Sequence, residues 1–166
     1  MAVIVFESNA GHTENYGRML GEILNIPVYS NQHAKGVLGK GEEVFFMGWL
    51  CAETVKGYKK AAKTYDLCGV CAVGMTPPEV VDIDQLKRKN EINGKPFFYL
   101  QGGLEPDKLS GIYKKMMAVA ASSLKKGEAK GTLSPKDAQM IALLKAGGSC
   151  VKEENLRPIV EWWGQS

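Results

Sequence analysis

Short apolar runs alternate with amphipathic stretches along most of this chain. Ala2-Val-Ile-Val-Phe6 is a continuous apolar run ending in a polar, Gly-containing turn, the pattern of a parallel strand buried on both faces. Tyr16, Met19, Leu20, Ile23 and Leu24 then recur at helical spacing within Gly11 to Leu24. Ile26 to Tyr29 reads as a second strand. Asn31 to Gly41 is polar and Gly-rich, a loop with at most a brief helix. Glu43 to Gly48 is the third strand, Thr54 to Tyr65 a Lys- and Ala-rich helix, and Leu67 to Gly74 the fourth strand. Pro78 to Asn90 reads as another helix, and Lys95 to Leu100 as a fifth strand closed by Gly102-Gly103.

After the fifth strand the pattern turns helical, over Pro106 to Lys126, Ser134 to Lys145 and Lys152 to Trp163. Ser134-Pro135 is a helix start, with Ser as N-cap and Pro in the first turn, and Gly147-Gly148 is a stop. Five strands alternating with helices predict βαβ crossovers and a parallel sheet. The expected fold is α/β: a doubly wound five-stranded parallel sheet of order 2-1-3-4-5, with an extended helical segment after strand five. No linker or repeat divides the chain, so one domain over 1–166 is expected.

Composition narrows the function classes. The chain has 166 residues, 45% hydrophobic and 23% charged, with a formal net charge of +3. That charge is too weak to argue for nucleic acid, and no basic-aromatic ladder for stacking bases is present. No apolar run is long enough to span a bilayer. Met1 to Phe6 lacks a basic leader, so no signal peptide and a cytoplasmic location are expected. Cys68-Gly-Val-Cys71 has the spacing of a redox or zinc pair. On a regular strand, however, residues three apart face opposite sides, and the other zinc ligands are missing; buried small hydrophobes is the preferred reading.

The sharpest chemical signal is Ser8-Asn9-Ala10-Gly11-His12-Thr13, between the first strand and the first helix. Ligands of open α/β sheets sit outside the carboxyl ends of strands, and a helix start offers unpaired N–H groups and partial positive charge to a phosphate. Ser8, Asn9 and Thr13 add donors, Gly11 permits close backbone approach, and His12 adds a donor or a charge. Gly-Lys-Ser/Thr and Gly-x-Gly-x-x-Gly are both absent, which excludes a P-loop and a dinucleotide fingerprint. The same six residues are also compatible with a plain strand-to-helix connection.

Ser8-x-x-Gly11-x-Thr13 resembles the phosphate-binding loop of flavodoxins, with Ala10 where that family usually has Thr. Phe46-Met-Gly-Trp-Leu-Cys-Ala52 resembles the third-strand exit of the flavodoxin-domain group that includes menaquinone-dependent protoporphyrinogen dehydrogenase. Phe98 to Ser110, with the helix through Met117, resembles that group's fifth-strand exit. The resemblance implies a flavodoxin-like fold and flavin mononucleotide (FMN), with its ring between the loops after strands three, four and five. The residues so implicated are Ser8, Asn9, Ala10, Gly11, His12, Thr13, Gly48, Trp49, Leu50, Cys51, Ala52, Thr76, Gln101, Gly102 and Gly103. Trp49 either stacks on the ring or is an ordinary core or surface tryptophan. Gly48, Gly74, Gly102 and Gly103 either end strands or leave room for a flat cofactor.

Two departures qualify the resemblance. Shuttling flavodoxins are typically acidic, whereas this chain is mildly basic. The dehydrogenase relatives carry a basic, aromatic loop after strand three, where this chain has Cys51-Ala-Glu-Thr54, so their substrate is not transferred. Three functions stay open: an FMN electron carrier serving a redox partner protein or a small-molecule donor or acceptor, an FMN-dependent oxidoreductase acting on a quinone or porphyrinogen-like molecule, and a cofactor-free binding module. The apolar stripe after strand five, edged by lysines, either packs on its own domain or touches a membrane, a quinone or a protein. His33 is expected to be exposed. Of Trp162 and Trp163, one is expected in the core and the other at an interface.

Overall fold

The opening apolar run forms β1 (Val3–Glu7), with Ile4 and Val5 fully buried. A computed structural model describes residues 1–109 and 111–166 of the chain, without the side chains of Pro106, Lys136, Gln139, Leu143, Leu144 and Ala146. Ser110, the end of the fifth-strand exit motif, lies outside the described residues.

From β1 the chain enters α1 (His12–Leu24), then β2 (Val28–Ser30) and the short α2 (Asn31–Val37). β3 (Glu43–Cys51) follows, then a two-residue strand β4 (Thr54–Val55), α3 (Tyr58–Thr64), β5 (Asp66–Gly74), α4 (Ile83–Asn90) and β6 (Phe97–Gln101). The sheet runs β2-β1-β3-β5-β6, with every neighbour in that path parallel. With β4 set aside, this is the expected order, a doubly wound five-stranded sheet of flavodoxin-like topology.

Both faces of the sheet are covered. On one side, Ile4, Phe6, Phe45, Met47, Val73 and Leu100 meet Tyr16 and Leu20 of α1 and Leu156 and Ile159 near the C-terminus. On the other, Val3, Val5, Phe46, Val70 and Ala72 meet Ala34 of α2 and Tyr58 and Ala61 of α3. Removing a side chain the size of Phe45 or Phe46 from water contributes about 2–3 kcal/mol. These two layers explain why the strands read as unbroken apolar runs.

Several local readings are corrected by the structure. Pro78 to Asn90 is not one helix: a single 3-10 turn at Pro78–Val80 precedes α4, which starts at Ile83 behind the Asp82 N-cap. Thr54 to Tyr65 is not one helix: Thr54 and Val55 pair antiparallel with Cys51 and Leu50, and α3 begins only at Tyr58. The reason lies in the sheet. β1 pairs with β3 as far as Gly48 and β5 as far as Trp49, so Leu50 and Cys51 outrun their parallel neighbours. The hairpin supplies the missing backbone partners. Cys68 and Cys71 do not face opposite sides. Val44 pairs with Leu67 but Phe45 with Gly69, so Cys68 is the extra residue of a bulge. The alternation resets there, and both cysteines pack on the α1 face as free thiols. Burial pushes the Cys68 thiol up to about 11 and raises that of Cys71 further, so neither is a ready nucleophile.

The segment after β6 leaves the sheet through a narrow stem. β7 (Gly103–Leu104) pairs antiparallel with β8 (Gly148–Ser149). Between them run α5 (Ile112–Lys130) and α6 (Pro135–Ala146), joined by Gly131 in a left-handed conformation. The Ser134 hydroxyl accepts from the Asp137 N–H at 3.1 Å, as expected of an N-cap. The chain then returns to the sheet as α7 (Arg157–Gly164). Trp162 and Trp163 share one fate: both are half-buried and both pack against Phe45, with centroids 5.8 and 5.6 Å away. His33 is exposed, its ring stacked on Tyr29.

Candidate functional site

The C-terminal ends of β1, β3, β5 and β6 enclose a cavity of about 320 Å³. Its floor is Ser8, Asn9, Ala10, His12 and Thr13 from the first loop, and one flank is Trp49 to Ala52. The neighbouring β5 exit adds Val73 to Met75, and the β6 exit adds Gly102 to Glu105. A fourth wall comes from the excursion: Leu109, Tyr113, Met116, Met117 and Ala120. The lining is mostly apolar, with polar groups gathered at the first loop. Three hundred-odd cubic ångströms is near the lower end of ligand-binding clefts, enough for one ring system.

The first loop has the chemistry of an anion site. Gly11 caps α1 with φ of +98°, and no side chain caps the helix. The first intrahelical bond of α1 runs from Asn15 N–H to Gly11 C=O at 3.0 Å, so the N–H groups before it have no helical partner. Thr13 is buried. Ser8 Oγ is buried with no hydrogen-bond partner, a costly state unless a ligand supplies one. An orphan hydroxyl beside an uncapped helix start fits a phosphate oxygen.

The charges around this loop are balanced. His12 Nε2 lies 3.2 Å from Glu105 Oε1, and Lys108 Nζ lies 2.5 Å from the other carboxylate oxygen. Lys108 first and His12 second hold the Glu105 carboxyl below its usual range. Glu105 is the first residue beyond the stem, so this contact ties the excursion to the start of α1.

The strand exits are tied to one another by polar contacts. The buried Tyr16 hydroxyl donates to the Gln101 carbonyl at 2.7 Å and accepts from Asn155 Nδ2 at 2.8 Å. Burial raises its pKa. Gln101 Nε2 donates to the Met75 carbonyl at 3.0 Å, and the Tyr99 hydroxyl to the Thr76 carbonyl at 2.6 Å. Gly102 N–H reaches the Gly74 carbonyl at 2.8 Å.

Eleven of the fifteen residues singled out in the sequence line this cavity: Ser8, Asn9, Ala10, His12, Thr13, Trp49, Leu50, Cys51, Ala52, Gly102 and Gly103. Gly11, Gly48, Thr76 and Gln101 stand just outside it. Gly11 shapes the loop, Gln101 braces the β5 exit, and Thr76 borders a neighbouring cleft with Leu50, Ala52 and Tyr99. At Gly48 a Cβ would lie 2.6 Å from the Lys56 carbonyl, so the missing side chain makes room for the β4 hairpin. At Gly102 it would lie 2.8 Å from His12 Cβ, which is how β6 passes so close to α1.

Sequence reasoning missed the pairing of Glu105 with His12, and it missed Asn90. Asn90 is buried and latches the β3–β4 turn: its Oδ1 accepts from Val55 N–H at 2.8 Å and its Nδ2 donates to the Glu53 carbonyl at 2.9 Å. The turn needs this support, because Ala52 and Glu53 both have positive φ, of 48° and 64°. Nothing local marks a helix-terminal Asn as the partner of a turn thirty-odd residues away.

No family model, curated protein or solved structure matches the chain. The fold and the cavity therefore carry the functional argument by themselves. Among the described residues, no helix is long and apolar enough to cross a membrane.

Proposed function

We propose that this protein binds FMN and transfers electrons through it, as the flavodoxin-like fold generally does. The observation that carries the reading is the unpartnered Ser8 hydroxyl beside the uncapped start of α1, at the polar end of an otherwise apolar cavity. An FMN phosphate would take the Ser8 hydroxyl, the Thr13 side chain and the free N–H groups of the first turn. Asn9, Ala10, Gly11 and His12 complete that loop. The flavin ring would lie between Trp49 to Ala52 and Gly102 to Gly103, with Thr76 and Gln101 bracing the intervening exit. When bound, the flavin supplies the one- and two-electron chemistry. The chain orients the ring, shields its apolar part from water and sets the charge around its tail.

The cavity is the size of a single ring system, which favours an electron carrier. The α5 wall of Tyr113, Met116 and Met117 supports a second reading, an FMN-dependent oxidoreductase whose quinone or porphyrinogen-like substrate meets the ring at that wall. On either reading the location is cytoplasmic and 1–166 acts as one domain.

The test is an absorbance spectrum of freshly purified protein followed by FMN titration. Flavin bands, and quenching of Trp49 emission by added FMN, are expected. Colourless protein whose fluorescence ignores FMN would leave a cofactor-free binding module. Steady turnover of a quinone by flavin-loaded protein would favour the oxidoreductase.

A further inference from the structure

The excursion concentrates the positive charge of the molecule. Residues 105–147 hold eight lysines against four acidic side chains, a net +4, while the rest of the chain nets −1. Two of those lysines are paired, Lys108 with Glu105 and Lys145 with Glu128. Among the described residues, no ion pair engages Lys114, Lys115, Lys125, Lys126 or Lys130 on α5.

The same helix exposes aliphatic surface. No described residue of α5 is buried. Ile112, Met116 and Val119 recur at i, i+4 and i+7, and are 66%, 44% and 71% exposed. Helical geometry puts them on one strip, with Lys115 and Lys126 along one border. The adjoining strip carries Tyr113 and Met117 into the cavity, and Met116 belongs to both, so the exposed strip begins at the cavity mouth.

We propose that this strip of α5 docks the protein on an anionic lipid surface. Lysines bordering an aliphatic strip are the composition of an interfacial helix: the aliphatic tips enter the acyl boundary while the ammonium groups reach lipid phosphates. Protein–protein interfaces are enriched in arginine and aromatic residues and depleted in lysine. Residues 105–147 contain no arginine, and their single aromatic residue, Tyr113, faces the cavity. The uneven charge also orients the molecule, turning the excursion and the cavity mouth toward the lipid.

The experiment is co-sedimentation of the full chain with vesicles of phosphatidylcholine alone, or of phosphatidylcholine mixed with phosphatidylglycerol. Binding is expected only to the mixed vesicles, and it falls as salt is raised. Replacing Lys115 or Lys126 by Gln should weaken it about fivefold each. Val119→Asp and Ile112→Asp should abolish it, whereas Lys60→Gln on α3 should leave it unchanged. All five positions are exposed, so the fold is preserved in each variant.

Equal sedimentation with and without the mixed vesicles, or binding that ignores Lys115→Gln and Val119→Asp, overturns the proposal. So does a larger species in size-exclusion chromatography that Val119→Asp returns to monomer, because the strip then joins two copies of this chain. The result is independent of the flavin. Colourless protein that ignores added FMN yet binds the mixed vesicles would sink the FMN reading alone, and yellow protein that ignores vesicles would sink this one alone.

Discussion

The indole of Trp49 meets the ring of Tyr113 edge-on, with centroids 4.7 Å apart and planes at 88°. Trp49 is the last residue of β3 paired with β5, and Tyr113 lies in the first turn of α5 sixty-odd residues later. Lys56 Nζ lies 5.5 Å from the Tyr113 centroid, so the ring is held from a second side. This is where the excursion rests on the rim of the cavity.

Tyr113→Ala should therefore loosen the α5 wall. Loss of the edge-to-face pair costs about 1 kcal/mol. Acrylamide quenching of Trp49 should rise in a chain whose other two tryptophans are replaced by Phe. Tyr113→Phe keeps the ring pair and should leave quenching unchanged. If Ala and Phe behave alike, the pair does not hold the wall.

Ser8→Ala separates a structural from a binding role by the sign of its effects. Removing an unpartnered buried hydroxyl should leave the stability of the apoprotein unchanged or raise it by about 1 kcal/mol. The same change should weaken FMN binding about tenfold or more, because a hydrogen bond to a charged group is lost. Urea unfolding and fluorescence titration measure the two effects. Unaltered FMN affinity would remove the phosphate from this loop.

Asn90→Ala removes the latch on a turn of two non-glycine residues with positive φ. Three hydrogen bonds go, counting that from Nδ2 to the Leu86 carbonyl, and a destabilisation of about 2–4 kcal/mol is expected. In the wild-type background, Ala52→Asn should stabilise by about 1 kcal/mol, since Asn tolerates this conformation better than Ala. Urea midpoints give both signs.

Glu105 makes one contribution to stability depend on acid. Its pKa is lowered in the folded chain by Lys108 and His12, so the unfolded chain binds the proton more readily. The stabilisation is complete above the ordinary glutamate value of about 4.3 and is lost as pH falls below it, through the folded value. Glu105→Gln should be less stable than wild type near neutral pH, with the difference vanishing in that acidic window. A difference that persists unchanged into strong acid would show that the carboxylate charge is not its source.

The sheet was legible because it is written in local patterns. Continuous apolar runs such as Val3 to Phe6 mark strands covered on both faces, and Ser134-Pro135 and Gly147-Gly148 mark the two ends of α6 through backbone preferences of single residues. The first loop was legible for the same reason: Ser8 to Thr13 sits at a strand end wherever the sheet goes.

What only the tertiary structure decided depends on where pairing stops. Cys68 becomes a bulge because β5 carries one residue more than β3 between matched pairs, and that resets which face Cys71 occupies. Thr54 and Val55 become a strand because Leu50 and Cys51 outrun their neighbours. Asn90, Glu105 and Tyr113 reach the site through contacts made thirty to a hundred residues away. Residue spacing reports the face of an element that wants covering; the long-range geometry decides what covers it.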